Sequence, residues 1–238
     1  SYVQLLERRQ GEELDEDSKE FMGYIVEGVQ RMKRLIDDLL LFSRVGTQGK
    51  PLEPVSVQAA YEDAVANLQV ALEESGAEIS HGELPTAIGD GSQLTQLFQN
   101  LISNAIKFSR EDAPPRIHVW AERKGATWTV TVRDNGVGVA EDQQERIFVI
   151  FQRSHHRHEY PGNGIGLAVC KKIAERHNGR IWVESPGPVD PEGMRDPVAF
   201  EGEGSAFRFT LDVVPSSQDE RVPEPVETNL EDRSRELV

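Results

Sequence analysis

The chain has 238 residues, of which 37% are hydrophobic and 28% charged, enough for one large domain or for a medium domain with a smaller element. Its formal net charge is −15 and its Lys and Arg residues form no basic stripe, which disfavours direct nucleic-acid binding. No apolar run approaches a membrane span and Cys170 is the only cysteine, so we expect a cytoplasmic segment without disulfides or membrane contact.

The acidic excess is spread along the chain, with dense patches at Glu12–Glu20 and after Pro215. One interpretation is adaptation to high salt, in which counterions screen the repulsion between the excess carboxylates. Ordinary acidic solubility explains the same composition equally well. The sequence leaves both interpretations open.

Residues 1–46 are predicted to be helical, with a turn near Gly11 between a first helix fragment and a longer second helix. Along the second helix, apolar residues recur at alternating spacings of three and four, which is the heptad pattern of bundled helices. These residues are Met22, Ile25, Val29, Met32, Ile36 and Leu39. One chain offers two such helices, so a homodimer would complete a four-helix bundle. The alternative is an amphipathic helix packed on its own domain.

A stretch with Gly and Pro, 47–54, is predicted to be a linker to a second domain, 55–214, that contains both helices and strands. Helices are predicted at Tyr61–Glu74, at Ser92–Phe108 and from Gly164 to near Gly179. Strands are predicted at 78–80, 86–88, 116–122, 127–133, 180–184 and 206–213. The acidic tail, 215–238, is predicted to be disordered. The predicted fold class is therefore α+β.

Three polar residues of the helix Ser92–Phe108 share one face, because Asn100 and Asn104 are four apart and Lys107 follows three later. Amide oxygens can help to hold a hydrated Mg²⁺ ion, which prefers hard oxygen ligands, and a lysine ammonium can neutralise phosphate charge. For the helix taken alone, a solvated polar face is the better explanation.

The segment Asp134–Gly138 follows a predicted strand and reads Asp-Asn-Gly-Val-Gly. A carboxylate at a strand end can accept a hydrogen bond from the exocyclic amine of adenine, while Gly136 and Gly138 let the backbone turn tightly and approach the base. The same residue types dominate ordinary turns, which is the alternative explanation.

A second glycine segment, Gly162–Gly166, opens a predicted helix, where free backbone N–H groups and the positive helix end favour phosphate. It is not a P-loop, since no Gly-Lys-Ser/Thr follows, and Leu167 stands where the dinucleotide fingerprint has its third glycine. A flexible hinge would also use glycines. The asparagine-bearing helix and the two glycine segments, in this order, nevertheless predict an ATP pocket.

These motifs resemble those of the sensor histidine kinases of two-component systems, whose nucleotide domain belongs to the GHKL ATPases. The N box matches Asn100–Phe108, the G1 box Asp134–Gly138, the F box Phe148–Phe151 and the G2 box Gly162–Gly166. The resemblance runs from the first residue to about residue 214 and is strongest to the phytochrome-type and PAS-linked kinases. It implies an N-terminal helical hairpin, half of a dimeric four-helix bundle, followed by a Bergerat-type α/β sandwich that binds ATP.

The resemblance also implies roles for individual residues. Asp134 would bind adenine, Asn104 with Asn100 would hold Mg²⁺ and phosphate, and Lys107 would contact phosphate. The pocket would be shaped by Gly136, Gly138, Gly162, Asn163, Gly164, Ile165, Gly166 and Leu167.

Two phenylalanines, Phe148 and Phe151, would anchor a lid, here Gln152–Pro161, that closes over ATP. Many relatives have threonine between the first two glycines of the G2 box, where this chain has Asn163. Asparagine can still form hydrogen bonds, so we expect nucleotide binding to survive the difference.

The resemblance implies transfer of the γ-phosphate of ATP to a histidine, and then to an aspartate in the receiver domain of a response regulator. In the family that histidine lies upstream of the matched first-helix stretch, and none of the six histidines here occupies that helix. We therefore expect this chain to bind MgATP but not to phosphorylate itself. Two alternatives stay open: a non-catalytic nucleotide-sensing or scaffolding module, and a GHKL ATPase of the chaperone, mismatch-repair or topoisomerase kind.

Overall fold

The computed structural model describes residues 15–47, 49–152, 163–186 and 204–215. The first long element is helix α1, Glu16–Thr47, which begins after Asp15, whose side chain accepts a hydrogen bond from the Ser18 backbone N–H at 2.8 Å. The predicted first helix fragment and residues 216–238 of the predicted tail lie outside the described residues.

Helix α1 has two different apolar faces. The predicted seam is exposed, with Ile25, Met32 and Ile36 each more than half accessible to solvent. Near the end of the helix, Val45 is buried, and Leu35, Leu41 and Phe42 pack against the core of the following domain. The C-terminal part of α1 thus packs on its own domain, as one alternative predicts, while the bundle stays a prediction for the exposed seam.

After α1, the chain contains both helices and strands, as the sequence predicts. In chain order they are β1 Glu53–Ser56, α2 Val57–Asn67, α3 Gln69–Ser75, β2 Glu78–His81, β3 Thr86–Gly89, α4 Gly91–Lys107, β4 Arg116–Lys124, β5 Thr127–Asp134, α5 Gly166–Arg176, β6 Ile181–Glu184 and β7 Ala206–Asp212. Two short 3₁₀ helices, Glu141–Gln143 and Arg146–Phe148, lie between β5 and α5.

A five-stranded sheet with the order β2–β4–β5–β7–β6 forms one layer. Strands β2 and β4 are parallel, and the other three pairings are antiparallel. Helices α2, α4 and α5 pack together with the sheet around a single core, in which Leu94, Phe98 and Ile102 of α4 are fully buried beside Phe209 of β7. This α/β sandwich confirms the predicted α+β class.

Helix α4 starts at Gly91, one residue before the predicted Ser92, and its N-cap is Asp90. Its Oδ1 accepts hydrogen bonds from the backbone N–H groups of Ser92, at 3.1 Å, and Gln93, at 3.4 Å. Burial opposes ionisation of Asp90, but a hydrogen bond from the Ser92 hydroxyl at 2.6 Å, the backbone N–H bonds from Lys50 and Gln93, and the charge of Arg176 together hold its pKa below the usual value.

A polar network attaches the end of α1 to the domain. Nε2 of Gln93 donates to the carbonyl of Val45 at 3.0 Å, and the Lys50 N–H donates to Oδ2 of Asp90 at 2.8 Å. Arg176 of α5 bonds both to α4 and to the segment after α1. Its Nη1 donates to Oε1 of Gln93 at 2.8 Å, and its Nη2 donates to the carbonyl of Lys50. The end of α1 and the residues after it are thereby fixed to α4 and α5.

Several element boundaries differ from the sequence prediction, and two of these differences have a clear physical reason. The helix predicted at Tyr61–Glu74 is two helices, because Leu68 leaves helical geometry at φ −106° and ψ 8°. The linker is shorter than the predicted 47–54, since Thr47 ends α1 and Glu53–Pro54 pair with β3. Proline in the sequence indicates a break, but both strands of a two-stranded sheet are edge strands, which tolerate proline.

Within the described ranges, no helix is long and apolar enough to cross a bilayer.

Candidate functional site

A cavity of about 330 Å³ opens between α4, the end of β5, the turn before α5 and the side of α1. Ten of the residues singled out from the sequence line it together. They are Asn100, Asn104, Lys107, Asp134, Gly138, Asn163, Gly164, Ile165, Gly166 and Leu167. Three separate motifs thus meet at one site, as the sequence predicts.

Helix α4 contributes one polar wall. Asn100, Ser103, Asn104 and Lys107 all line the cavity, as expected for positions three, four and seven residues apart on a helix. Nδ2 of Asn100 donates to the carbonyl of Gly166 at 3.4 Å, which connects α4 to the start of α5. Ser103 was missed from the sequence, although its spacing from Asn100 places it on the same face.

Asp134 is a buried carboxylate at the end of β5. Its Oδ1 accepts hydrogen bonds from the backbone N–H groups of Gly136, at 2.8 Å, and Ser205, at 3.2 Å. Burial raises the pKa of Asp134 to about 6, although these two bonds and the charge of Arg133 act in the opposite direction. A further donor in the cavity, such as an amine, would stabilise the ionised form and so bind there favourably.

Gly136 belongs to the turn that holds the Asp134 carboxylate in position, although Gly136 is not a lining residue of the cavity. A Cβ atom at this position would lie 2.4 Å from the carbonyl oxygen of Phe108, so only glycine fits. The next residue, Val137, donates its N–H to the same carbonyl at 3.0 Å. The turn after β5 is therefore held directly against the end of α4.

The second glycine segment forms the turn that starts α5. Gly164 has φ +70°, in the left-handed region, and its carbonyl accepts a hydrogen bond from the Phe151 N–H at 3.0 Å. Helix α5 begins at Gly166 without a capping side chain among the described residues. Its N-terminal N–H groups are thus available to an anion. Gly162, predicted to belong to this turn, lies outside the described residues.

The two predicted lid anchors differ in their surroundings. Phe148 is buried and packs edge-to-face on Phe207, a lining residue of the cavity, with ring centroids 6.4 Å apart. Phe151 is largely exposed. Neither is among the described lining residues, and of the predicted lid only Gln152 is described, where it lines the cavity.

The residue that sequence reasoning missed most completely is Asp38. It lies on α1, is half-buried, and lines the cavity. Its Oδ2 accepts a hydrogen bond from Nδ2 of Asn163 at 2.9 Å. No local signal identified it, because in the sequence Asp38 is one acid among the charged residues of an amphipathic helix.

The fold and the cavity agree with a known class of nucleotide-binding proteins. A model of the histidine kinase-, DNA gyrase B- and HSP90-like ATPases matches residues 89–215, and the chain belongs to this family. A second model, of the His Kinase A (phospho-acceptor) domain, matches residues 1–48. Together these matches confirm the resemblance to sensor histidine kinases.

Among individual proteins, the chain is 47% identical over 230 residues to cyanobacterial phytochrome A of Nostoc sp. (strain PCC 7120 / SAG 25.82 / UTEX 2576). That alignment covers 97% of this chain but 28% of the phytochrome, so the chain spans less than a third of this relative's length.

Two solved structures share the fold of nearly the whole chain. Full-length ShkA, solved in complex with AMPPNP, matches with a TM-score of 0.62 and 24% identity, over 90% of this chain and 42% of that one. Histidine kinase ThkA, solved in complex with the response regulator protein TrrA, matches with a TM-score of 0.61 and 19% identity, over 90% and 57%.

Proposed function

We propose that this chain is the kinase core of a sensor histidine kinase, which binds MgATP in the cavity and transfers the γ-phosphate to a histidine of a dimerisation helix. The observation that carries the proposal is the composition of one cavity. It combines a buried carboxylate, Asp134, with amide oxygens, the ammonium of Lys107 and an uncapped helix N-terminus. The carboxylate suits the amine of adenine, the amide oxygens suit Mg²⁺, and the ammonium and the helix N-terminus suit phosphates.

Each residue has a chemical task in this proposal. Asp134 accepts a hydrogen bond from the adenine amine, and its own backbone bonds keep the carboxylate aimed into the cavity. Asn104 and Asn100 offer the amide oxygens that would hold Mg²⁺ together with the phosphates. Lys107 and the N–H groups at the start of α5 neutralise phosphate charge. The bound Mg²⁺ would add further neutralisation at the terminal phosphates.

Catalysis would rest on positioning, because phosphoryl transfer requires little covalent chemistry from the protein. The bond from Asn100 to Gly166 fixes the amide wall relative to the helix N-terminus. The phosphate would therefore meet donors whose geometry is set before it arrives.

The long helix supports a homodimer. Its exposed seam follows the heptad pattern, and such a stripe in water is stabilised by packing on another helix. The match of residues 1–48 to the phospho-acceptor domain model supports the same arrangement. In this proposal residues 1–46 belong to the dimerisation domain and residues 55–214 to the ATP-binding domain.

The proposed partner in the relay is the receiver domain of a response regulator. The ThkA structure, which contains such a regulator, supports this partner by its shared fold. The cytoplasm, which supplies ATP, is the proposed location. The match to the phospho-acceptor model favours this function over a chaperone-like or topoisomerase-like ATPase.

The test is calorimetric titration of MgATP into the chain and into Asp134→Asn, with Asp63→Asn as a matched control on the exposed surface of α2. Asparagine keeps an acceptor for Gly136 and Ser205 but removes the charge, so we expect about 100-fold weaker binding for Asp134→Asn and none of this loss for Asp63→Asn. A wild-type chain that binds no nucleotide would overturn the proposal.

A second experiment separates a kinase from a nucleotide-sensing scaffold. The chain is incubated with radiolabelled MgATP and a separate helical-hairpin domain that carries the acceptor histidine of the family. We expect acid-labile label on that domain, and none with Asp134→Asn. Nucleotide binding without any phosphoprotein would favour the scaffold.

A further inference from the structure

Asp38 adds a second carboxylate, besides Asp134, to a cavity in which Lys107 and the N-terminus of α5 favour anions. It belongs to α1, yet its carboxylate is bound by Asn163 in the turn that starts α5 and lines the same cavity as Asn104 and Lys107. Its sequence neighbour Asp37 is exposed to solvent. Two adjacent acids of one helix therefore have opposite environments.

The position of Asp38 is fixed by the helix that carries it. Phe42 and Val45 follow Asp38 by four and seven residues, so all three lie on the face of α1 that meets the domain. Nζ of Lys172 donates to the carbonyl of Phe42 at 2.8 Å and lies 4.2 Å from the centre of its ring. Val45 is buried, and its carbonyl is bound by Gln93.

The groups around Asp38 also favour the binding of a phosphate. Helix α5, eleven residues long, begins with no acidic residue in its first turn, and its N–H groups face the turn that contains Asn163. Lys107 lines the same cavity. A carboxylate in this place resembles a phosphate oxygen in charge and in its hydrogen-bond acceptors.

We propose that Asp38 is a built-in competitor of the nucleotide phosphates, so that the attachment of α1 to the domain and the binding of MgATP oppose each other. This inference rests on the proposed function, since it assumes that the cavity binds ATP. A triphosphate and the Asp38 carboxylate share the amide of Asn163 and repel each other in a partly desolvated space. Bound nucleotide therefore weakens the contact between α1 and α5, and an attached helix weakens nucleotide binding by the same factor.

The experiment compares the nucleotide affinities of Asp38→Asn, Asp37→Asn and the unchanged chain in low salt. Both substitutions remove one carboxylate from the same turn of α1, but only one of them faces the cavity. We expect MgATP to bind about three- to tenfold more tightly to Asp38→Asn, with no change for Asp37→Asn. Asp38→Ser, which removes the charge and most of the side chain, should give the same gain.

A series of ligands tests whether the gain in affinity of Asp38→Asn depends on the phosphates of the nucleotide. The gain should be largest for MgATP, smaller for MgADP and absent for adenosine, because adenosine has no phosphate to compete with Asp38. The gain for MgATP should also shrink in molar KCl, since salt screens the repulsion.

The outcomes separate this inference from the proposed function. If MgATP binds in a manner that requires Asp134 but Asp38→Asn and Asp38→Ser bind it no better than the unchanged chain, the competition is overturned and the ATP site stands. Weaker binding by both variants would also overturn it, since Asp38 would then help to hold the nucleotide. No binding of any nucleotide by the unchanged chain would remove the ATP site itself.

Discussion

Helices α1 and α4 are both amphipathic, but they bury their apolar residues in opposite ways. In α4, Leu94, Leu97 and Phe98 are completely inaccessible, because α2, α5 and the sheet surround them. In α1, Ile25 and Ile36 are 52% and 58% exposed. The domain thus covers the apolar face of α4 with its own helices and sheet, whereas no described residue covers the seam of α1, as expected for a stripe that packs on another helix.

The largest expected effect is a loss of stability. It appears when the same Phe→Ala substitution is made in the buried core of the domain and on the exposed surface of α1. Phe98→Ala opens a cavity in the closed core and should lower the free energy of unfolding by about 3–5 kcal/mol. Phe21→Ala removes the same atoms from a side chain that is 63% exposed on α1 and should cost less than about 1 kcal/mol. Urea unfolding at low protein concentration measures both. Equal losses would mean that the surroundings of Phe21 on α1 are as well packed as the core.

The second effect concerns dimerisation through the exposed seam of α1. Ile36→Glu places a charge in the centre of the proposed bundle and should weaken the dimer by about 100-fold or more, because a buried unpaired carboxylate is costly. The matched control is Val70→Glu, on an exposed position of α3. Analytical ultracentrifugation measures dimerisation, and MgATP titration confirms that the domain is intact. A dimer unaffected by Ile36→Glu would show that the seam is not the interface.

A smaller effect concerns protonation inside the closed domain. Because burial raises the pKa of Asp134 to about 6, its carboxylate is ionised at pH 8 and largely protonated at pH 5. The ionised form accepts the adenine amine, so adenosine affinity should fall about tenfold from pH 8 to pH 5. Adenosine is the appropriate ligand, since it has no phosphate that titrates in this range. Asp134→Asn should show no such dependence, and a flat profile for the unchanged chain would contradict the prediction.

The smallest effect tests the acidic surface. If the net charge of −15 is an adaptation to high salt, the free energy of unfolding should be about 1 kcal/mol higher in molar KCl than in low salt. Urea unfolding in both media measures this difference. A neutral osmolyte at the same osmolality is the control, because it does not screen charge. Equal stability at both salt concentrations would favour ordinary acidic solubility.

The site residues that the sequence predicts are those whose relative positions are set by local geometry. Asn100, Asn104 and Lys107 are related by helical spacing, and Asp134 and Gly136 by a tight turn, so each group is determined by local geometry. The order of these groups along the chain then suggested that they meet. The structure places all of them around or directly beside one cavity.

The residues that the sequence did not reveal depend on distant contacts. Asp38 and Asn163 are 125 positions apart, and nothing near either residue indicates the other. The strand at Glu53–Pro54 likewise depends on its pairing with β3, more than thirty residues later. Spacing identifies neighbours on one element, but it carries no information about which surfaces meet in the folded chain.

Among the described residues, α1 is attached to the domain through its C-terminal part, from Leu35 onward, which gives it the mechanics of a lever. With 32 residues it is about 48 Å long, and the network around Val45, Lys50 and Arg176 holds its final turn against the domain. A tilt of about 5° at that pivot displaces the opposite end by about 4 Å. Small rotations at the pivot would therefore produce larger displacements at the far end of the helix. In the same way, a small force applied at the far end would exert a large torque at the pivot.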